Sequence, residues 1–385
     1  MNFDITNSFE SVYIHWPFCP YKCHFCPFVA LASHDHFMEQ YHDTLCKEIR
    51  DFSQQNLNKT PIRTVFLGGG TPSTYPNDLL LDMFGILNNV LPLADDAEIS
   101  IEVNPGTVTP ERLATWKRVG INRLSIGVQS LKDDVLKKLN RHQSAADVMH
   151  LLESAQPLFE NISVDIIVGL PGVNSDDWKE LIQTLVTWPI KHVSMYYLTV
   201  HEDTPLYFGV KAKKITLPTD ETMVNLYEWS VNYLAEHGFG RYEISNFARP
   251  GYESRHNSAY WHRKPYKGFG LGACSFDGKS RFQNQKNLMS YFQGVQEGQN
   301  IHIFSETLTA QQEWLEIIML GLRQARGVRI ADVLQNLTHE QKNNFFEKID
   351  FLRQADLLVC VDDFLRLTAA GFAVENEIVL KLSVM

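Results

Sequence analysis

Residues 15–28 read His-Trp-Pro-Phe-Cys-Pro-Tyr-Lys-Cys-His-Phe-Cys-Pro-Phe and contain Cys19, Cys23 and Cys26. Prolines at positions 17, 20 and 27 oppose a continuous helix, so we expect a loop that wraps around a bound group. Thiolates are the usual ligands of iron–sulfur clusters, and three of them leave one iron of a 4Fe-4S cluster without a protein ligand. The amino and carboxylate groups of a small molecule can chelate such an iron.

A zinc site completed by His24 or His15 is the alternative that this spacing leaves open. The chain has six cysteines, and the other three (Cys46, Cys274 and Cys360) are scattered. This distribution does not suit a disulfide framework, so the loop is interpreted as a metal or redox site.

The overall composition excludes several classes of protein. A chain of 385 residues suits one large domain plus a smaller one. Its formal net charge of -10 argues against a general nucleic-acid-binding protein, which would carry a basic surface. Residues 1–10 lack the apolar segment of a secretory signal, and no apolar run reaches the length of a membrane span. We therefore expect a cytoplasmic protein.

Short β-rich runs alternate with helical patterns from residue 11 to about residue 200. Strands are predicted at 11–15, 64–67, 98–103, 123–128, 163–168 and 192–198. Helices are predicted between them, near 37–52, 78–90, 110–119, 145–159 and 175–188. This alternation indicates βαβ crossovers and a parallel sheet, so the predicted fold class is α/β with a partial (β/α)6 barrel or a full barrel.

The pattern divides the chain into three predicted segments. Residues 1–240 form the barrel core, and residues 241–300 form a connecting segment rich in glycine, aromatic residues and histidine. Residues 301–385 form a small helical, winged-helix-like domain that includes β-rich runs at 358–361 and 365–368.

Polar residues gather at the ends of the predicted strands. Cys19 follows the first strand, Gly-Gly-Gly-Thr-Pro (68–72) follows the second, and Glu102, Gln129 and Asp165 belong to the next three. Ligands of β/α barrels bind at this edge. A glycine run lets the backbone approach a ligand, and the guanidinium of Arg141 can pair with a carboxylate through two hydrogen bonds. The sequence therefore predicts a binding site there.

The Cys-x3-Cys-x2-Cys loop, with Phe25 before its third cysteine and a glycine-rich strand end after it, resembles the radical S-adenosylmethionine superfamily. The resemblance implies a 4Fe-4S cluster on the three cysteines and S-adenosylmethionine on its open iron. It implies the following contacts: Gly69, Gly70, Thr71 and Glu102 with the amino group, Arg141 with the carboxylate, Gln129 and Asp165 with the ribose, and Tyr13 and Phe25 with the nucleoside.

Longer stretches are similar to the branch that contains oxygen-independent coproporphyrinogen III oxidase and the HemW haem chaperones, namely residues 13–19, 123–129, 165–171 and 367–372. Two features resemble HemW. Phe28 stands where the oxidase has a fourth cysteine, and residues 256–261 (His-Asn-Ser-Ala-Tyr-Trp) are similar to a HemW motif. The motif implies a haem site in which the imidazole binds iron and the rings pack on the macrocycle, formed by His256, Asn257, Tyr260 and Trp261.

The resemblance thus implies a haem chaperone that binds a 4Fe-4S cluster, S-adenosylmethionine and haem and passes haem to an acceptor protein. No catalytic residue is assigned. The alternative function is the oxidase, but Phe28 makes coproporphyrinogen oxidation unexpected. For residues 256–261 alone, a hydrogen-bonded core or surface role stays open.

Two positions depart from the HemW pattern. Pro27 replaces an aspartate after the third cysteine, and Cys274 replaces a histidine in a Gly-Ala-His turn. Cys274 either changes the chemistry of that turn or supplies a thiolate in place of the imidazole.

Overall fold

The structure is a computed structural model that describes residues 9–55, 60–335 and 337–383. Residues 1–8, on which the prediction about a secretory signal largely depends, lie outside the described residues. No described helix is both long and apolar enough to cross a membrane.

The strands, in chain order, are β1 (Ser11–Trp16), β2 (Phe18–Cys19), β3 (Leu31–Ala32), β4 (Ile62–Gly69), β5 (Leu93–Val103), β6 (Arg123–Gln129), β7 (Asn161–Val168), β8 (His192–Tyr197), β9 (Gly240–Arg241), β10 (Asn246–Ala248), β11 (Tyr266–Phe269), β12 (Cys274–Phe276), β13 (Ser280–Asn284), β14 (His302–Thr307), β15 (Val328–Arg329), β16 (Leu358–Val361) and β17 (Phe364–Leu367). The six predicted core strands are confirmed as β1 and β4 to β8.

The helices, in chain order, are α1 (Met38–Gln55), α2 (Asn77–Val90), α3 (Pro110–Arg118), α4 (Asp133–Lys138), α5 (Ala145–Ala155), α6 (Ser175–Leu185), α7 (Pro205–Lys211), α8 (Asp220–Glu236), α9 (Arg255–Trp261), α10 (Leu288–Gln296), α11 (Ala310–Leu322), α12 (Ile330–Leu334), α13 (His339–Gln354), α14 (Ala369–Ala373) and α15 (Glu375–Ser383). The five predicted core helices are confirmed as α1, α2, α3, α5 and α6.

The main sheet has the order β14-β13-β12-β11-β1-β4-β5-β6-β7-β8-β10-β9. Strands β1 and β4 to β8 are parallel neighbours, and within the described residues the sheet ends at β14 and β9 instead of closing. Of the two predicted architectures, the partial (β/α)6 barrel is therefore the one found.

Strand β6 illustrates how the alternation of side chains builds this barrel. Leu124, Ile126 and Val128 are fully buried in the main hydrophobic core, and burial of each such side chain contributes roughly 1.5–3 kcal/mol. Ser125 and Gln129 lie on the opposite face of the strand and line an internal cavity. The inner face of the barrel is thus polar where the outer face is apolar.

The segment 241–300, predicted as a connection, adds strands to the main sheet. Strand β11 pairs in parallel with β1, and Tyr266 lies opposite Ser11. Strands β12 and β13 continue the sheet in antiparallel pairs, and β14, which lies beyond residue 300 in the segment predicted as the C-terminal domain, pairs with β13. The boundaries at residues 240 and 300 stay a prediction.

A second hydrophobic cluster lies in the C-terminal region. It extends from Trp314 to Leu382 and packs helices α11, α12, α13 and α15 against the small sheet β15-β17-β16. Helices beside a short β-hairpin agree with the predicted small helical, winged-helix-like domain.

Candidate functional site

The three loop cysteines line one cavity at the carboxyl ends of the parallel strands, and we call it the upper cavity. Cys19 and Cys23 are buried and Cys26 is partly exposed. The cavity has a volume of about 410 Å³, within the range of small-molecule sites. Predicted site residues that also line it are Phe25, Gly69, Gly70, Thr71, Glu102, Gln129, Arg141 and Asp165.

The positions of the thiols bear on the choice between zinc and a cluster. In a tetrahedral zinc site, bonds of about 2.3 Å place the sulfurs about 3.8 Å apart. Among the described residues, only His42, Cys46 and Asp82 hold three ligand atoms within 4.8 Å of one another. Within the described residues, the three loop thiols therefore do not form a preformed group of the size that a zinc ion needs. His15 is already engaged, because its ring nitrogens are hydrogen-bonded to the Tyr13 hydroxyl and the Val29 carbonyl.

The thiol of Cys19 lies in an environment that a bound metal would change. Burial raises its pKa to about 11, and the Thr71 hydroxyl, which donates a hydrogen bond to the sulfur at 3.2 Å, opposes this rise. Because metal coordination deprotonates a thiol outright, Thr71 would then donate to a bound thiolate.

The glycine run holds the cysteine loop against the barrel. A Cβ at Gly70 would lie 2.4 Å from the Pro17 carbonyl oxygen, so no side chain is tolerated there. Gly69 has a φ of 118°, and its Cβ would lie 2.6 Å from the His15 ring. The predicted ligand-binding role stays a prediction, and the structure adds a packing reason for both glycines.

Glu102 occupies the centre of the site. One of its carboxylate oxygens accepts a hydrogen bond from the Gly69 backbone N–H at 3.0 Å. Burial, followed by the charge of Asp165, raises the pKa of Glu102 to about 8. An ammonium group in the upper cavity would favour the ionised carboxylate, so Glu102 can respond to a cationic ligand.

Arg141 extends into the upper cavity from the chain that follows α4. Its Nε donates to Gln143 at 2.9 Å, and its Nη1 lies 3.7 Å from the sulfur of Cys23. A Cβ at Gly127 would lie 2.6 Å from Nη2 of Arg141, so this glycine makes room for the guanidinium. The arrangement places a fixed cation beside the cysteine loop.

The two predicted ribose contacts also lie in the upper cavity. Gln129 adopts a φ of 64° at an irregularity that ends β6, an unusual conformation of the kind found at functional sites. Asp165 accepts a hydrogen bond from Ser125 at 3.1 Å, and burial raises the pKa of its carboxyl.

An apolar wall completes the upper cavity. Phe25 packs on a buried cluster that includes Leu139 and Leu170, and Ile167 and Leu198 belong to the same surface. Sequence reasoning missed several lining residues whose only signal was their place near a strand end or in the cysteine loop, namely Tyr21, Asn104, Ser125, Ile167, Tyr196, Tyr197 and Leu198.

Tyr13 lines an adjoining space, which we call the side cavity, instead of the upper cavity. The side cavity has a volume of about 380 Å³ and shares Pro27, Phe28, Gly69 and Glu102 with the upper cavity. Its other lining residues come from β1, from the loop between β2 and β3, from α9 and from the segment 266–286 that carries β11 to β13. They include Tyr260, Tyr266, Cys274, Gln283 and Lys286.

The segment 256–261 forms most of helix α9, which closes the lower end of the barrel. His256 is 1% exposed, and its ring nitrogens are hydrogen-bonded to the hydroxyls of Thr64 and Tyr260, both at 2.8 Å. Glu98 accepts hydrogen bonds from two backbone N–H groups in the first turn of α9. Burial, with the charge of Arg123, lowers the pKa of His256 to about 3, so the imidazole is neutral.

The structure brings three of the four residues predicted to contact haem to one space and leaves Trp261 apart. His256, Asn257 and Tyr260 line a polar chamber of about 170 Å³, and Tyr260 also lines the side cavity, which His256 and Asn257 do not. The backbone carbonyl of Trp261 accepts from Gln324, on the side of the C-terminal region. Iron ligation by His256 would require the loss of a hydrogen bond to Thr64 or Tyr260.

Comparisons with known families agree with this geometry. The chain matches the model of the Radical SAM superfamily over residues 13–185. It also matches the model of the HemN C-terminal domain over residues 308–374.

Individual proteins are similar over most of their length. The chain is 35% identical over 332 residues to the heme chaperone HemW of Synechocystis, covering 84% of this chain and 80% of that protein. It is 32% identical over 371 residues to the heme chaperone HemW of Bacillus subtilis, covering 96% and 98%. The structure of coproporphyrinogen III oxidase (HemN) from Escherichia coli, a radical SAM enzyme, superposes with a TM-score of 0.86 at 23% identity, covering 99% and 92%.

Proposed function

The chain belongs to the radical S-adenosylmethionine superfamily and, within it, to the HemW family, and on this premise we propose that it is a haem chaperone. In this proposal it binds a 4Fe-4S cluster, S-adenosylmethionine and haem, and it passes haem to an acceptor protein. The observation that carries the proposal is the pair of adjoining cavities, one lined by three thiols and the other by aromatic rings.

The upper cavity suits the cluster and S-adenosylmethionine. Cys19, Cys23 and Cys26 would hold the cluster, which supplies one-electron chemistry when bound. Glu102 would accept a hydrogen bond from the ligand's amino group, and Arg141 would pair with its carboxylate. The other predicted contacts, from Gly69, Gly70, Thr71, Gln129, Asp165 and Phe25, belong to the proposal because they line this cavity.

The haem part of the proposal is supported by the relatives named as haem chaperones and by the aromatic side cavity. Tyr260 is the predicted haem residue that lines this cavity, while direct contacts from His256, Asn257, Tyr13 and Trp261 to their ligands stay predictions. Phe28 is 64% exposed at the edge of both cavities, where the oxidase pattern has a cysteine. The cytoplasmic location also stays a prediction.

Haem transfer tests the proposal directly. Protein with a reconstituted cluster is loaded with haem under anaerobic conditions and mixed with an apo-cytochrome b as a generic acceptor. We expect the Soret band of the acceptor to appear faster than after addition of free haem. The same preparation is also given coproporphyrinogen III with S-adenosylmethionine and a reductant. Failure to bind haem, or efficient formation of protoporphyrinogen IX, would overturn the proposal and favour the oxidase.

A further inference from the structure

The position of His256 raises the question of which side chain binds haem iron. Both of its ring nitrogens are hydrogen-bonded, and it does not line the side cavity. If haem enters the side cavity, its iron ligand has to come from groups that line that space.

Several donors line the side cavity, but most are engaged within the protein. The ring nitrogens of His15 are hydrogen-bonded to Tyr13 and Val29, and the Tyr260 hydroxyl is hydrogen-bonded to His256. Cys274 differs, because its side chain is exposed and its sulfur accepts a hydrogen bond, 3.5 Å long, from the side chain of Gln283 on the adjacent strand. Thiolate sulfur is an established axial ligand of haem iron.

The surroundings of Cys274 suit a flat, anionic macrocycle. Tyr260 and Tyr266 meet edge to face with their ring centroids 4.6 Å apart, and Phe28 lies at the edge shared with the upper cavity. Lys286 is an exposed cation on the same lining. Ligand pockets typically combine apolar and aromatic walls with a few polar groups of this kind, and a lysine can pair with a propionate.

We infer that the side cavity is the haem site, with Cys274 as an axial ligand of the iron and Lys286 as a partner of a propionate. This inference rests on the proposed function, since it assigns the place of the haem in it. Haem bound there would lie next to the upper cavity, separated from it by the shared residues Pro27, Phe28, Gly69 and Glu102.

Burial raises the pKa of the Cys274 thiol, and the charge of Lys286 opposes this rise. Because iron binding itself deprotonates a coordinating thiol, the buried part of the side chain does not prevent thiolate ligation. Replacing Lys286 should therefore weaken ligation as well as remove a propionate contact.

A haem titration with matched cysteine variants tests the inference. Difference spectra are recorded against the haem-free, cluster-containing protein for wild type, Cys274→Ser, Cys274→His and Cys360→Ser. Cys360 is an exposed thiol in β16 of the C-terminal region and serves as the control. Retained iron and sulfide content and unchanged circular dichroism show that each variant is folded.

We expect wild type and Cys360→Ser to give a ferrous carbon monoxide complex with the red-shifted Soret band of thiolate ligation. Cys274→Ser should lose that band and bind haem roughly tenfold or more weakly, about 1.4 kcal/mol of binding free energy. Cys274→His should restore binding with the spectrum of an imidazole-ligated haem.

The lysine is tested in the same titration. Lys286→Ala should weaken haem binding by about two- to fivefold, the size of an exposed ion pair, whereas Lys279→Ala should have no effect. Lys279 is a suitable control because it is exposed in the turn between β12 and β13.

The two possible failures are distinguishable. If wild type binds no haem, the proposed function itself fails. If wild type binds haem but Cys274→Ser has the same spectrum and affinity, the inference is overturned and the proposed function stands.

Discussion

The cysteine loop and helix α9 both carry motifs that sequence reasoning assigned to cofactors, yet they occupy opposite ends of one barrel. Cys19, Cys23 and Cys26 line a cavity at the carboxyl ends of the parallel strands. His256 lies in the helix that closes the other end, where it is hydrogen-bonded to Thr64 and Tyr260. In the described structure, a histidine of a type that often binds metals thus attaches helix α9 to the lower end of the barrel.

The comparison of the cysteine loop with helix α9 indicates that a motif identifies residues able to bind a cofactor but not whether a cofactor can reach them. Prolines keep the cysteine loop from continuing as a helix, and its short strand β2 pairs with β3 outside the main sheet, so the thiols remain at the edge of that sheet. The imidazole belongs to a helix, and the polar inner face of the barrel offers it partners. Substitutions in the upper cavity are therefore expected to reduce cluster or ligand binding, whereas substitutions at the lower end of the barrel are expected to reduce folding stability.

The largest effect is expected at the cysteine loop. Cys23→Ser or Cys26→Ser should abolish cluster binding, because two thiolates do not hold the cluster stably, whereas His256→Ala should retain it. Iron and acid-labile sulfide per chain after anaerobic reconstitution measure the effect. Equal iron content in Cys23→Ser and wild type would remove this loop from the cluster site.

At the lower end of the barrel, which helix α9 closes, substitutions are expected to reduce folding stability. His256→Ala removes a packed ring and leaves the Thr64 and Tyr260 hydroxyls without their partner, so the free energy of unfolding should fall by about 2–4 kcal/mol. Denaturant unfolding of the two variants measures this, with His262→Ala as the exposed control at the end of α9. An unchanged unfolding midpoint for His256→Ala would contradict a structural role of His256 at the lower end of the barrel.

In the upper cavity, the next effect is expected on ligand affinity. Arg141→Ala should weaken S-adenosylmethionine binding by about 10- to 100-fold while leaving the cluster intact, since it removes the partner of the ligand carboxylate. Gly127→Ala should act in the same direction by displacing the guanidinium. Calorimetry measures both, and Lys137→Ala on α4 is the exposed control. Equal affinities for Arg141→Ala and Lys137→Ala would exclude Arg141 from the site.

A smaller effect is expected from pH. Because the pKa of Glu102 is about 8, its carboxyl is mostly protonated in the free protein below that pH, and binding of a cationic ligand beside it favours loss of that proton. Affinity for S-adenosylmethionine should therefore rise with pH, by up to about tenfold per unit between about pH 6 and about pH 8. Glu102→Gln should make this dependence weaker, because loss of the proton from the ligand's own amino group would remain. A parallel slope in the variant would assign the titration to another group.

The smallest effect is expected from Thr71. Thr71→Val keeps the shape of the side chain but removes the hydrogen bond to the Cys19 sulfur. Fewer hydrogen bonds to sulfur should make the reduction potential of the cluster more negative without changing its iron content. Spectroelectrochemistry measures the shift, and Thr187→Val, an exposed position that does not line the upper cavity, is the control. Identical potentials in the two variants would contradict a contact between Thr71 and a cluster ligand.

The core strands and helices were predictable from the sequence because their information is local. Strand β6 carries its alternation within seven residues, and the cysteine loop carries its ligands within eight. The sequence also predicted that the polar residues at the strand ends lie close together, because the carboxyl ends of parallel strands meet at one edge of the sheet.

The side cavity could not be predicted in this way. It depends on the pairing of β11 with β1, which joins segments about 250 residues apart and has no local signal. The burial of His256 depends in turn on Thr64 and Glu98, which come from two other strands. The space that Gly127 leaves for Arg141, where a Cβ would lie 2.6 Å from Nη2, is likewise a feature that no spacing pattern encodes.

Electron paramagnetic resonance of the reduced, reconstituted protein tests the central claim most directly. With three cysteine ligands and an open iron, the protein should give the signal of a reduced 4Fe-4S cluster, and addition of S-adenosylmethionine should change its g values. A preparation that holds stoichiometric zinc and gives no such signal would contradict the account, as would a cluster signal that S-adenosylmethionine leaves unchanged.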